Sequence, residues 1–343
     1  MKKTSLIMVF PLLLLFTKCS TDFDINADWK DIAVVYGIID HSDSVQYIKI
    51  NKAFLGNKDA YIMAQESDSL FYPDTEVFLE PLNDTSHLYD NYGNIERIKL
   101  EETLDIQKDS GIFAYDYNKI FYTTETLDPQ NNYRLLIKIP GKENISATTS
   151  LVDDLNITNP NSSYSKVGFA TTTDFLSYKV EWHAHPIGEL YGLMLRFHYR
   201  EITPDDVATD KYIDWYQVTK RKFHDNEKME MEIDGSAFYS FVASNIDPGI
   251  EGTKRKALGI DFIFTVAGKE LALYIEVNGP SEGIVQERPS FSNISNGLGV
   301  FSSRFTKTVP LVELSSLTEN MLSCSDITKH LRFADFNNNY DCQ

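Results

Sequence analysis

Leu127-Asp128-Pro129-Gln130-Asn131-Asn132-Tyr133-Arg134-Leu135 is the stretch that decides the fold class. Pro129 fixes one backbone torsion, and the Asp and Asn residues around it are turn formers. A strand follows, Tyr133 to Ile139, and its first residue is a tyrosine. Working outward, Val45-Gln46-Tyr47-Ile48-Lys49-Ile50 alternates with period two, the mark of a half-buried strand. Ala33 to Ile39 is a short apolar run that ends at the turn-prone Asp40-His41-Ser42-Asp43. Glu76 to Glu80, Ile95 to Leu100, Ile112 to Tyr117 and Ile145 to Leu151 read as further strands, with turn-rich segments between them.

The second half is equally strand-rich. Tyr178 to His185, Leu193 to Ile202, Trp215 to Phe223, Lys228 to Ile233, Asp261 to Val266 and Glu270 to Asn278 read as strands, with Ala267-Gly268-Lys269 as a hairpin loop. Ala237 to Ser244, opened by Asp234-Gly235-Ser236, and Ser315 to Ser323 read as short helices. No strand–helix–strand rhythm appears, so a doubly wound sheet is excluded. In immunoglobulin-like sandwiches, a tyrosine placed as Tyr133 is bonds its hydroxyl back to the preceding corner. The Leu127–Leu135 stretch resembles that corner of fibronectin-type and related domains, which supports a fold and not an activity. The expected architecture is mainly β. An immunoglobulin-like β-sandwich spans 31–152, a polar linker 153–165, a second β-rich domain with one or two short helices 166–310, and a helix and tail 311–343.

The chain has 343 residues, 50 Asp and Glu against 32 Lys and Arg, and a net charge of −18. A nucleic-acid binder needs the opposite balance. Lys2 and Lys3 precede the 11-residue apolar run Leu6 to Phe16, which is short of the roughly 20 residues that span a bilayer and reads as an export signal over 1–18. Cys19 stands directly after Leu15-Phe16-Thr17-Lys18 and before Ser20-Thr21-Asp22. That arrangement resembles a bacterial lipoprotein box, with Lys18 where a small residue is usual. It implies that Cys19 becomes the acylated, palmitate-bearing first residue of the mature chain. Removing residues 1–18 takes away three lysines and no acid, so the net charge goes from −18 to −21. Residues 19–30 are an acidic tether, similar to the surface-export signals of Bacteroidetes lipoproteins.

With Cys19 acylated, Cys324 and Cys342 remain as an even pair in an oxidising compartment. Bridged, they stabilise by about 3 kcal/mol in the chain-entropy model; otherwise they are two thiols in the tail. The densest chemical cluster is Glu181-Trp182-His183-Ala184-His185. If a hairpin turn centres on Glu189-Leu190, His198 comes opposite Glu181 and Arg196 opposite His183. His183, His185 and His198 then share a face as low-ranking donors for zinc or copper. The plainer reading is the solvated face of a hairpin, and no metal or other cofactor is expected. Nucleophile-elbow, phosphate-loop, dinucleotide-binding and zinc-protease signatures are absent. The acid pairs Glu101-Glu102, Asp153-Asp154 and Asp205-Asp206 read as loop solvation. Tyr115-Asp116-Tyr117 and Tyr212-Ile213-Asp214-Trp215-Tyr216 read first as sandwich core and strand edges; where exposed, they form a ligand or carbohydrate platform.

Phe291-Ser292-Asn293-Ile294-Ser295-Asn296-Gly297-Leu298-Gly299-Val300-Phe301 places two glycines one residue apart, the pattern of a turn or bulge with close backbone approach, before a buried Val-Phe. Together with the lipoprotein start and Val34-Val35-Tyr36-Gly37-Ile38-Ile39, this segment resembles an uncharacterised lipoprotein family of Bacteroidetes. The resemblance implies an envelope role beside TonB-dependent outer-membrane transporters and brings no catalytic residues with it. The expectation is a lipid-anchored outer-membrane protein with a non-catalytic binding or accessory role. It faces the periplasm or the cell surface and has no nucleic-acid partner. The alternatives are a secreted or anchored hydrolase with a His-rich site and a structural or adhesive surface protein.

Overall fold

The computed structural model describes residues 31–53, 60–82, 97–107, 111, 118–161, 165–279 and 290–340. The strands of the first half are β1 (Ile32–Ile39), β2 (Gln46–Ala53), β3 (Glu76–Pro81), β4 (Ile98–Thr103), β5 (Ile120–Thr123), β6 (Asn132–Lys138) and β7 (Ile145–Ser150). Short helices α1 (Ala60–Gln65) and α2 (Ser67–Leu70) lie between β2 and β3. The second half carries β8 (Asn156–Asn159), β9 (Tyr178–His183), β10 (Gly188–Ile202), β11 (Ala208–Tyr216), β12 (Lys220–Arg221), β13 (Lys228–Ile233), β14 (Lys254–Gly268) and β15 (Gly297–Val312). Its helices are α3 (Gly235–Asn245), α4 (Lys269–Asn278) and α5 (Ser316–Cys324). The protein is mainly β. The expected strand 112–117 lies outside the described residues.

One sheet runs β11-β10-β14-β15-β1-β2-β5-β4-β3-β6-β7, with β12 also on β10; a second, smaller sheet runs β13-β9-β8. Among the described residues, the named strands pair antiparallel except β1 with β15. The first-half strands curl round a core of Val35, Ile48, Val77, Leu79, Phe121, Leu135, Ile137 and Phe301. The curl brings β7 back beside β15. Ser146 pairs with Ser295, and the Ser303 hydroxyl donates to the Ser150 carbonyl at 2.7 Å. The alternation of β2 and β6 places every second residue in this core, as period two requires.

The corner tyrosine behaves as its sequence context implies. Its hydroxyl accepts the Asp128 N–H at 2.8 Å, its ring is buried, and that burial raises its pKa above the usual phenol value. The Asp128 carboxylate accepts the Gln130 N–H and the Asn131 side-chain amide, which closes the turn.

The two glycines of the C-terminal segment lie within β15 itself. Gly299 has φ +112°, and a Cβ there would stand 2.0 Å from the Val35 carbonyl oxygen. The parallel strands β1 and β15 therefore touch at backbone level, a position open to glycine alone. Val300 and Phe301 are buried, as expected.

The second core lies between the inner face of β10, β14 and β15 and the small sheet with α3. Leu195, Phe197, Phe262, Phe264 and Phe305 meet Val180, Trp182, Met231, Phe238 and Val242. Asp234 caps α3 by accepting the Ala237 N–H, and the Ser236 hydroxyl donates to the same carboxylate. Residues 156–159 of the polar stretch supply β8, and Val152 and Leu155 beside it are buried.

Three expectations need correction. First, β9 and β10 are not a hairpin. β9 pairs with β8 and β13, whereas β10 pairs with β11, β12 and β14. Pro186 interrupts the chain between them, and 184–187 arches from one sheet to the other. The buried Lys222 ammonium donates to the carbonyls of His185 and Pro186, and the Tyr191 hydroxyl accepts the His185 N–H at 2.7 Å. Second, 269–278 is the helix α4 rather than a strand after a hairpin loop. Its Leu, Ala and Glu content favours helix, Ser302 accepts the otherwise unpaired Leu271 N–H, and Ala272 is fully buried. Third, the strand expected over 215–223 begins earlier, as β11, and breaks before β12.

The Tyr133 hydroxyl bond gives a direct test. Tyr133→Phe is expected to lower stability by about 1 kcal/mol, read as a lower urea midpoint at unchanged m-value. An unchanged midpoint would contradict the role given to the corner.

Candidate functional site

The three candidate histidines are not brought together. His183 ends β9 and faces the Asn226 carbonyl at 3.5 Å. His185 lies on the arch and pairs with Asp153 at 2.6 Å. His198 sits on β10 and pairs with Asp261 of β14 at 2.8 Å. Among the described residues, no group of three His, Cys, Asp or Glu is placed to hold a metal ion. The His-rich face fails because its two strands belong to different sheets. Glu181 pairs with Lys228 at 2.8 Å instead of His198.

The outer face of β10, β11 and β14 is a ladder of ion pairs. Arg196 donates two hydrogen bonds to Asp214, and Arg200 donates two to Asp210. The guanidinium bonds hold both aspartate pKa values below the usual range. Tyr212 lies over the Arg196 guanidinium, 4.1 Å from ring centre to carbon. Of the aromatic stretch 212–216, Tyr212 and Tyr216 are exposed, while Trp215 turns inward and stacks on Phe241 at 5.2 Å. Tyr115 and Tyr117 lie outside the described residues. With its charges already matched, this face positions strands and offers little to a charged ligand.

Concave surface is found beside α5 instead. Ser315 caps the helix by accepting the Thr318 N–H. The fully buried Thr318 hydroxyl accepts the Phe169 N–H at 2.8 Å and donates to the Val167 carbonyl. One side chain thus locks the C-terminal helix to a segment about 150 positions earlier. The chain then turns through Thr171–Asp174, where the Thr171 hydroxyl accepts the N–H groups of Thr173 and Asp174. Between this turn and α5 lies a cleft of ≈ 690 Å³. Phe175, Leu317, Met321 and Ile327 line its apolar part, and Thr172 and Asn320 lie at its polar rim. Cys324 at its end is disulfide-bonded; Cys342 and Cys19 lie outside the described residues.

A second cleft of ≈ 300 Å³ opens on the other side of α5, against β14 and residues 334–338. The tail is held there by Arg255, whose buried guanidinium donates to Glu201 and to the carbonyls of Leu331 and Asp247. In this cleft Lys166 pairs with Glu313 and Lys256 donates to Asn338. Glu319 stands half-buried beside them, and burial raises its carboxyl pKa above the usual range. The larger cleft offers apolar contact together with hydroxyl and amide groups and the carboxylates of Asp326 and Asp335. Sequence reasoning found α5 but neither cleft, because their walls come from segments far apart in the chain.

No family model matches the chain, and no curated protein matches it. Among solved structures, it is similar to the C-terminal globular domain of an oligosaccharyltransferase from Pyrococcus abyssi. That likeness is 10% identical, covers 69% of this chain and 46% of that chain, and has a TM-score of 0.25. A chain of a cytokine receptor complex is 9% identical over 82% of this chain and 98% of that one, with a TM-score of 0.19. This chain thus spans less than half of the first. Scores this low carry no argument about fold or activity.

Glu319 gives a pH test. Because burial raises its pKa, the folded protein holds this proton more tightly than the unfolded chain. The stability tied to it is complete at low pH and is lost as pH rises from the unfolded to the folded value. Glu319→Gln is therefore expected to melt above wild type near pH 7, with the gap closing below about pH 4. A lower melting temperature for the variant near pH 7 would contradict the burial assigned to this carboxyl.

Proposed function

We propose that the protein is a lipid-anchored outer-membrane protein with a binding or accessory role in the cell envelope, acting beside an outer-membrane transporter. The observation that carries this reading is Cys19, which directly follows the apolar run Leu6 to Phe16 behind Lys2 and Lys3. An acylated Cys19 holds the chain at a membrane, since each buried CH₂ contributes about 0.8 kcal/mol. The acidic composition suits a soluble body that hangs from such an anchor. A binding role is supported by the cleft beside α5, whose lining combines apolar side chains with hydroxyl, amide and carboxylate groups. The hydrolase alternative relied on a shared histidine face, and those histidines pair separately with Asn226, Asp153 and Asp261.

The test is intact mass and membrane fractionation of the native protein beside Cys19→Ala. Acyl mass and flotation with outer membrane, both lost in the variant, are the expected result. A native protein that is unacylated and soluble would overturn the anchored reading. The transporter association is read by crosslinking in intact cells; failure to capture any barrel protein from membranes that hold the anchored chain would remove that part.

A further inference from the structure

The outer wall of the first core carries aromatic and aliphatic side chains among polar ones, with Lys49 opposite Tyr36 and Asn51 opposite Val34. Strands β15, β1, β2 and β5 run side by side there. Leu298 stands opposite Val34, Tyr36 follows two residues along β1, and Tyr47 stands opposite Tyr122. Helix α4 adds Ile275 and Tyr274, whose ring meets Tyr36 edge-on at 6.2 Å. Tyr36, Tyr47, Ile275 and Leu298 are each between 44% and 46% exposed. Apolar side chains gathered on a single face mark an interaction surface. Tyrosine suits one kind of surface best, since its ring is apolar and its hydroxyl polar, the pairing found where a membrane meets water.

The chain itself says which surface lies within reach. Residues 20–30 run from Cys19 towards β1, the strand that carries Val34 and Tyr36. Eleven residues reach at most about 40 Å when fully extended. The anchor therefore lies within about 40 Å of the start of β1, a strand of this wall. A net charge of −21 after loss of residues 1–18 repels anionic headgroups and leaves zwitterionic lipid as the favoured contact.

We infer that this tyrosine-rich wall of β15, β1 and β2, with Ile275 of α4, rests on the zwitterionic lipid surface in which the anchor is embedded. The inference rests on the anchored reading and adds an orientation: the wall faces the headgroups, and the clefts beside α5 are carried on the body that extends from it.

The experiment uses the native chain in phosphatidylcholine vesicles that contain brominated phosphatidylcholine, with tryptophan emission as the readout. Tyr36→Trp places a reporter on the wall. Tyr216→Trp places one on β11, at the far end of the sheet, where residue 216 is 75% exposed. Wild-type emission is subtracted from both. The expected result is that the position-36 reporter loses most of its added emission to bromine and the position-216 reporter keeps its own. Equal emission from the two reporters, in a protein whose mass shows acylation, overturns the orientation and leaves the anchor standing. If the protein carries no acyl mass, the anchored reading itself has failed. The same two reporters then decide the wall alone: selective quenching at position 36 supports lipid contact, and its absence overturns it.

Discussion

A single strand, β15, is built into both cores, and the rest of the molecule depends on that constraint. Its first part, Gly297 to Ser303, lies parallel to β1 and delivers Phe301 to the first core. Its second part, Arg304 to Val312, lies antiparallel to β14 and delivers Phe305, Val309 and Val312 to the second. Residues 299–303 are buried in an unbroken run, since the strand passes where both of its faces are covered. Ser302 and Ser303 survive there because each has a partner. Ser302 accepts the Leu271 N–H in the first turn of α4, and Ser303 donates to Ser150. The junction is pinned again around Asp153. Its carboxylate takes His185 and its carbonyl takes His41, whose ring stacks on Phe305 at 5.3 Å. Lys307 of the same strand donates to Asp154 and Leu155.

Much of the strand content is visible in residue order, for a local reason. Half-buried strands such as β2, β6 and β13 must alternate, so Tyr47-Ile48-Lys49-Ile50 and Met229-Glu230-Met231 show their state directly. Tyr133 marks its corner because a buried hydroxyl needs a partner, and a nearby turn N–H is the nearest one. Asp234 and Ser315 mark helix starts in the same way. Pairing across distance is another matter. Nothing near Val35 announces that Gly299 must lie against its carbonyl, and nothing near Trp182 says that Leu195 faces it across a core rather than along a hairpin. Residues 271–277 read as a strand because they are apolar except for Glu276 and include the β-branched Ile275 and Val277, but the covered flank of β15 and the Ser302 hydroxyl favour a helix there.

The candidate site follows the same division. The aspartates that claim His185 and His198 are 32 and 63 residues away, so a cluster that looked shared in the sequence separates into two His–Asp contacts. The clefts beside α5 exist because Thr318 ties the C-terminal helix to Val167 and Phe169. In the proposed reading, function rests on placement: an anchor at Cys19, the tyrosine-bearing wall that carries β1, and clefts formed only when α5 docks.

Hydrogen exchange of the native protein in rising urea, followed by mass spectrometry, tests the shared strand most directly. The account predicts that amides of β1 and β2 and amides of β10 and β14 lose protection together at one urea concentration, because neither core stays closed without β15. Loss of protection in β1 and β2 while β10 and β14 remain protected, or the reverse, would show two independent units and contradict it.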